Sequence, residues 1–225
     1  MINCNIFNIP NKTDNIVIAA KYWVNSNPNN QNNPIIIFVH QWGLLGGSGA
    51  LMEGLARNMA SLNYNSITFD LRGVGKSSGK SSWTNFTEVS DLKTVIDYVI
   101  KTYDKKILLV GSSAGAPIIG YTLDYSPQII GGTLIGMVWG VWASIVFSWS
   151  YENIEKSIKP KLFIIGDKDE FTSIAQYNNR ITKIKGELND VKLIQGKNHF
   201  EIESPYYDKT ISKWIVEFIE KVNNM

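Results

Sequence analysis

The segment Gly111-Ser112-Ser113-Ala114-Gly115 carries the residue types that most directly indicate chemistry. It follows the apolar run KILLVG and precedes a helical pattern, which is the setting of a Gly-x-Ser-x-Gly turn bearing a nucleophilic serine. The flanking glycines are needed because side chains at those positions would collide with neighbouring backbone. Only Ser113 has glycine both two residues before and two residues after it. We therefore predict Ser113, and not Ser112, as the nucleophile.

A serine hydroxyl is a poor nucleophile unless a base lies within hydrogen-bond reach, and the chain has only two histidines. His199 follows the last predicted strand and precedes the final helix, which places it at the carboxyl end of the predicted sheet. We predict it as the base, with a surface-loop histidine as the alternative. His40 ends an early strand, where a loop that donates backbone N–H groups is expected instead.

The base needs an acid that orients it and stabilises its charged form. After the strand KLFIIG the sequence offers Asp167, Asp169 and Glu170. Asp169 is the predicted acid because it lies a few residues beyond the strand. Asp167 is the alternative acid, although it is better placed to shape the turn. The resulting chain order, Ser113 then Asp169 then His199, differs from the order in two other serine-protease folds.

Negative charge that develops on an attacked carbonyl must be met by backbone N–H groups. Ala114 N–H, at the start of the helix after the serine, is one predicted donor, and Trp42 N–H in the loop HQWGLLGGS is the other. Gln41, in the same loop, is predicted to line the substrate site. A phosphate-binding role for Gly46 and Gly47 is weaker, since no lysine follows to complete a phosphate loop.

These residues fall where apolar runs end, and the runs alternate with helical patterns as in a mainly parallel sheet covered by helices on both faces. We predict an α/β fold forming a single domain over residues 1–225, with an antiparallel pair of strands from residues 2–9 and 16–24 at one edge. Ligands of such sheets bind outside the carboxyl ends of the strands. The predicted strands are Ile16–Trp23, Ile35–His40, Ser66–Asp70, Lys106–Gly111, Ile130–Met137, Lys161–Gly166 and Val191–Gln195. The predicted helices cover residues 48–62, 86–102, 114–125, 172–185 and 206–222.

Composition excludes several classes of function. The net charge is +2 and no long run of Lys or Arg occurs, so nucleic-acid binding has no electrostatic support. One cysteine allows neither an intrachain disulfide nor a cysteine-rich metal site, and no metal or cofactor is implied.

The first residues lack the pattern of a secretory signal, which favours a cytoplasmic protein. Residues 129–150 are uncharged and long enough for a bilayer, yet their glycines and unflanked ends favour a buried strand and an apolar loop.

The motifs FVH, FDLRGVGKSSG, VGSSAGAP, LFIIGDKDEFTS and GKNHFEIESPYYD together resemble the α/β-hydrolase superfamily across nearly the whole chain. More narrowly, they resemble small, poorly characterised α/β-hydrolase proteins of plants and protists. The resemblance implies a Ser113–Asp169–His199 triad that hydrolyses an ester, thioester or amide of a small molecule. Two departures stand out: Gln41 replaces the glycine that commonly follows the histidine, and the connection before KLFIIG is too short for a full cap.

That short connection is rich in aromatic residues. Trp139, Trp142 and Phe147 are predicted to form an apolar wall of the substrate pocket, with packing against the core as the alternative. Two other functions remain open from the sequence. One is a hydrolase-fold protein that binds a ligand or partner without turnover. The other is a membrane-associated lipid hydrolase that docks through the aromatic residues between 138 and 149.

Overall fold

The computed structural model describes residues 1–26, 32–41 and 43–225, apart from the side chain of Trp142. Within these residues, eight strands form one sheet in the order β1-β2-β4-β3-β5-β6-β7-β8. The strands are β1 (Ile2–Asn11), β2 (Ile16–Asn25), β3 (Ile35–Val39), β4 (Ser66–Phe69), β5 (Ile107–Ser112), β6 (Ile129–Ile135), β7 (Lys161–Gly166) and β8 (Asn189–Ile194).

The central strands of the sheet are buried and pair in parallel, whereas the strands at one edge pair antiparallel. All residues of β3, β5 and β7 are buried, and apart from Ser112 and Lys161 none of them is polar, as expected for strands with helices on both faces. They pair in parallel with their neighbours, whereas β1 and β2 pair antiparallel with each other and β2 pairs antiparallel with β4. The predicted antiparallel pair at the sheet edge is thus confirmed.

The described helices agree with the sequence where the amphipathic pattern is long. All five predicted helices are present, the first as a short 3-10 turn at Gly49–Met52 followed by α1. Three short helices, α4, α5 and α7, were not predicted. The α-helices are α1 (Glu53–Ser61), α2 (Val89–Tyr103), α3 (Gly115–Thr122), α4 (Val141–Phe147), α5 (Tyr151–Lys156), α6 (Ile174–Ile181), α7 (His199–Ile202) and α8 (Asp208–Asn223).

Two apolar cores lie on opposite faces of the sheet because successive side chains of a strand point to opposite sides. In β3, Ile35, Ile37 and Val39 join the core under α2 and α3, while Ile36 and Phe38 join the core under α1 and α8. The apolar stripe of the last helix faces this second core. Ile211, Ile215, Phe218 and Ile219 are buried in it, and the partly buried Trp214 packs against it.

The connection between β6 and β7 is short and carries no large cap. It holds α4, a 3-10 turn at Ser148–Ser150, and α5, where a loop was predicted. The uncharged segment 129–150 is therefore a buried strand followed by a helix. Among the residues described, no helix is both long enough and apolar enough to cross a bilayer.

Candidate active site

The turn after β5 holds Ser113 in a conformation that few side chains adopt. Its φ is 50°, in the left-handed region, a conformation that costs about 1–3 kcal/mol and persists only because the surrounding structure enforces it. Ser113 N–H donates to Ile135 O at 2.8 Å, and Ser113 O accepts from Ala116 N–H at 3.0 Å. A Cβ added to Gly111 would lie 2.5 Å from Gly115 O, so the two glycines permit the close approach of strand and helix.

His199 bridges the serine and an aspartate. Ser113 Oγ lies 2.8 Å from His199 Nε2, and Asp169 Oδ2 lies 2.6 Å from His199 Nδ1. A carboxylate only accepts, so Nδ1 carries the proton and Nε2 is free to accept from the serine hydroxyl. His199 is 1 % exposed and Asp169 is 8 % exposed, whereas Ser113 is partly open to solvent. The three side chains are therefore arranged to transfer a proton from the serine to the imidazole.

The backbone fixes Asp169 in this position. Its Oδ1 accepts from Phe171 N–H and from Thr172 N–H, both at 2.9 Å, which leaves Oδ2 directed at the histidine. Asp167 has a different partner, because its Oδ1 accepts from Gly196 N–H at 2.6 Å. The geometry thus pairs Asp169 with the histidine, and Asp167 joins two neighbouring turns.

The environment of His199 raises its pKa. Burial alone would lower the pKa, since it disfavours the charged imidazolium. The hydrogen bond and charge of Asp169 act in the opposite direction, and the charges of Glu203 and Glu170 add to them. The balance places the pKa above the ordinary value of 6.5. Proton uptake by the imidazole is therefore favoured at the moment the serine attacks.

His40 shapes the loop that faces the serine and is not part of the proton-transfer chain. It is fully buried, and burial lowers its pKa, so the ring is neutral. Its Nε2 accepts from Leu71 N–H at 3.0 Å, which leaves the proton on Nδ1 to donate to Gln41 O at 2.5 Å. The ring thus ties the loop after β3 to the loop after β4.

The glycine-rich turn of residues 70–77 is hydrogen-bonded to the segment after β3. Asp70 Oδ1 accepts from Gly49 N–H at 3.0 Å. Arg72, which is 9 % exposed, pairs through Nη2 with Asp91 Oδ1 at 2.7 Å and with Asp14 Oδ2 at 2.5 Å. The turn is therefore anchored to α2 and to the β1–β2 connection. It does not line the pocket described next.

A pocket of about 520 Å³ opens above Ser113. Its walls are mostly apolar, and Gln41, Ser113 and Glu203 are the polar side chains among the lining residues that the structure describes. Ala114 lies in the same wall at the start of α3, where backbone N–H groups have no acceptor within the helix. The lining residues are Gln41, Leu45, Gly46, Gly47, Leu51, Ser113, Ala114, Val138, Ala143, Ile145, Val146, Phe147, Phe171, Phe200 and Glu203.

A family comparison covers the part of the chain that contains Ser113. The sequence profile described as Serine aminopeptidase, S33 matches residues 30–153, which is more than half of the chain. The chain belongs to this family. The matched range includes the loop after β3, the glycine-rich turn and the segment around Ser113. A comparison with curated protein sequences finds no significant match.

Solved structures show the same α/β-hydrolase fold. An esterase from Pyrococcus furiosus is 20 % identical, with a TM-score of 0.78 over 98 % of this chain and 93 % of its own. An α/β serine hydrolase homologue from Coxiella burnetii is 21 % identical, with a TM-score of 0.77 over 92 % and 95 % of the two chains. A Xanthomonas campestris protein described as a serine hydrolase without a lid is 18 % identical, with a TM-score of 0.75 over 97 % and 94 %. The narrower resemblance to plant and protist proteins stays a prediction.

The structure brings six of the predicted site residues together at or beside the pocket. Ser113, Asp169 and His199 form one hydrogen-bonded chain, and Ala114, Gln41 and Phe147 line the pocket beside it. Trp42 and the side chain of Trp142 lie outside the described residues.

Trp139 requires a correction, because it does not line the pocket. Its side chain is 3 % exposed and packs against the rings of Phe163 and Tyr177, with centroids 5.5 and 5.6 Å away. Three residues separate Trp139 from the end of β6, and two of them, Met137 and Val138, are buried, so the chain is still in the core at this point. The aromatic residue was therefore assigned to the wrong environment, and the alternative of core packing applies to it.

Sequence reasoning missed several residues that touch the histidine or line the pocket. The rings of Phe171 and Phe200 lie 4.7 and 5.6 Å from the His199 ring, and the two phenylalanines also contact each other. Each directly follows the acid or the base segment in sequence, which was an available signal. Glu203 was also missed, although its position four residues after His199 predicts the same face of a helix.

Proposed function

We propose that this α/β hydrolase, acting as a single domain over residues 1–225, cleaves a carboxylic ester of a small molecule through an acyl-enzyme on Ser113. The observation that carries the proposal is the chain of hydrogen bonds from Asp169 through His199 to Ser113 Oγ, at 2.6 and 2.8 Å. This chain ends on a strained turn at the mouth of an apolar pocket. A merely structural cluster would not require the nucleophile to be partly open to solvent.

In the proposed mechanism, His199 Nε2 takes the hydroxyl proton as Ser113 Oγ attacks the ester carbonyl. The tetrahedral oxyanion is stabilised by Ala114 N–H and, as we propose from the sequence, by Trp42 N–H. Collapse of this intermediate breaks the bond to the alcohol, which leaves with the proton from His199. A water molecule then attacks the acyl-enzyme with the same base, releases the acid and restores the serine.

The pocket favours an apolar acyl group. Its volume of about 520 Å³ lies within the ordinary range for small-molecule sites, and most of its lining is aliphatic or aromatic. Thioesters present a similar acyl group and are second candidates. An amide, the substrate class that the family description suggests, requires protonation of a worse leaving group. We therefore place ester hydrolysis before aminopeptidase activity for this chain.

A fluorophosphonate probe tests the nucleophile directly. Wild type should be labelled on Ser113, as located by mass spectrometry, and Ser113→Ala should not be labelled. Ser112→Ala is the matched control, because it retains the proposed nucleophile and should still be labelled. p-Nitrophenyl esters of increasing chain length, compared with alanine p-nitroanilide, then separate esterase from aminopeptidase activity. Labelling of Ser113→Ala at the wild-type rate would contradict the mechanism.

One observation favours a second candidate, a hydrolase that acts at a lipid surface. Leu45, Ile145 and Phe200 surround the pocket mouth and are 72, 71 and 63 % exposed. Exposed apolar side chains grouped around one opening are typical of an interaction site. Sedimentation with liposomes distinguishes this candidate, since a lipid hydrolase should be depleted from the supernatant. Binding of apolar ligands without labelling or turnover would instead indicate a ligand-binding protein.

A further inference from the structure

Glu203 is one of the polar residues that line the pocket, and it contacts two segments that flank the nucleophile. The Ser112 hydroxyl donates to Glu203 Oε1, and the Gln41 side chain is a hydrogen-bonding neighbour of the same carboxyl. Ser112 is 2 % exposed, so its hydroxyl is held away from solvent. The proposed triad uses none of these three side chains. Their contacts therefore require an explanation of their own.

The three residues belong to segments that catalysis must keep in register. Ser112 is the last residue of β5 and directly precedes the nucleophile. Gln41 follows His40 in the loop that is expected to supply an oxyanion donor. Glu203 follows α7, four residues after the base His199, so that both side chains lie on one face of that helix. One carboxyl thus joins the nucleophile segment, the oxyanion loop and the base segment.

The Gln41 amide meets Glu203 through its NH₂ group, because a carboxylate only accepts. Its Oε1 is buried and has no hydrogen-bond partner among the residues that the structure describes. A buried carbonyl without a partner is unfavourable, so the orientation needs a compensating interaction on the NH₂ side. Glu203 supplies that interaction.

We propose that Glu203 is a positioning residue that holds the oxyanion loop, through Gln41, in register with the nucleophile turn, through Ser112. This proposal rests on the proposed hydrolase function of Ser113. Loss of the bridge leaves the apolar walls of the pocket intact but loosens the donor relative to the attacked carbonyl. Since a misplacement of about 1 Å can cost about 10²-fold in rate, the chemical step should slow while substrate binding changes little.

The charge of Glu203 provides an independent readout. Burial raises the pKa of Glu203, and contacts with His199, Ser112 and Gln41 oppose that rise, while the nearby charge of Asp169 adds to it. The Glu203 charge in turn helps to raise the pKa of His199. Replacing the carboxyl by an amide should therefore move the acid limb of kcat/KM to lower pH. A residue that only supports packing would not shift this limb.

The test compares Glu203→Gln, Glu203→Ala, Gln41→Ala and the double variant Gln41→Ala/Glu203→Ala with wild type on a p-nitrophenyl ester. We expect Glu203→Ala and Gln41→Ala each to lower kcat by about 10- to 100-fold, while KM stays within about threefold of wild type. This loss in kcat is no larger than the loss that follows removal of a whole oxyanion donor. The double variant should be no slower than the slower single variant. Glu203→Gln should retain more activity than Glu203→Ala, because an amide can still bridge the two partners.

Controls keep the outcome interpretable. Glu152→Gln and Gln195→Ala make the same chemical changes at exposed positions away from the pocket and should match wild type. If Glu203→Ala does not fold, Gln41→Ala and the pH profile of Glu203→Gln carry the test. Unchanged kcat in folded variants, multiplicative effects in the double variant, or an unshifted acid limb would overturn the positioning role. Absence of fluorophosphonate labelling in wild type would instead refute the hydrolase proposal on which it rests.

Discussion

Gly115, at the first turn of α3, gives the most direct test of how tightly the nucleophile turn is packed. A Cβ added there would lie 2.4 Å from Val39 O and 2.7 Å from His40 O. Both contacts are backbone atoms at the end of β3, so no side chain can rotate away to relieve them. Gly115→Ala must therefore separate the nucleophile turn from the strand that leads into the oxyanion loop.

The size of this separation follows from the distances. Ordinary contact of a Cβ begins at 3.4 Å, so the backbone has to yield by about 1 Å. A displacement of that size between reacting groups can cost about 10²-fold in rate. The same overpacking costs about 1–3 kcal/mol of folding free energy, which lowers the melting temperature of a chain of this length by about 2–12 °C.

The assay pairs kcat for a p-nitrophenyl ester with the rate of fluorophosphonate labelling, and a thermal melt confirms that the variant is folded. Gly132→Ala in β6 is the matched control. Its added Cβ would meet the ends of the Leu123 and Ile119 side chains at 2.8 and 3.5 Å, and these can rotate. This control should lose stability without losing activity.

A folded Gly115→Ala protein whose kcat stays within about threefold of wild type would refute the reasoning. It would mean that the nucleophile turn and the oxyanion loop move together, so that their relative positions survive the clash. Equal losses of activity in Gly115→Ala and Gly132→Ala would also refute it, since the effect would then follow stability and not geometry.

Three further predictions concern ionisable groups. Because His199 must be neutral to accept a proton and its pKa is raised, kcat/KM should fall as the pH decreases through a value above 6.5. Asp169→Asn should move this acid limb of kcat/KM to lower pH and reduce kcat by about 10⁴-fold, whereas Asp167→Asn should do neither. Equal effects of the two variants on the pH–rate profile would contradict the assignment of Asp169 as the acid. Asp91→Ala should lower the free energy of unfolding by about 3 kcal/mol in urea titrations, because it leaves the buried Arg72 guanidinium with Asp14 as its remaining carboxylate. A loss below about 1 kcal/mol would show that Asp14 alone suffices.

Several elements were predictable because their signals are local. The buried strands appear as continuous apolar runs, and the final helix shows its apolar stripe at helical spacing. The short helices α4, α5 and α7 were missed because four to seven residues are too few for periodicity to emerge. Their existence depends on packing over the sheet, which a local pattern does not contain.

The aromatic connection shows the same limit at the level of the site. Trp139 and Phe147 look alike in sequence, yet one packs against Phe163 and Tyr177 in the core and the other lines the pocket. Which side of a connection faces a cavity depends on how α4 lies over the sheet. The polar bridge at Glu203 was missed for a similar reason, since Ser112 and Glu203 are 91 residues apart.

For the proposed site, the sequence by itself determined which serine can occupy the strained turn, because only Ser113 has a glycine on both sides at the required spacing. It also determined the order in which serine, acid and base occur along the chain. Tertiary structure alone decided that Asp169 and not Asp167 reaches His199, since that choice depends on which backbone N–H groups capture each carboxylate. It likewise decided which aromatic residues meet a ligand, because a cavity exists only where separate elements are brought together.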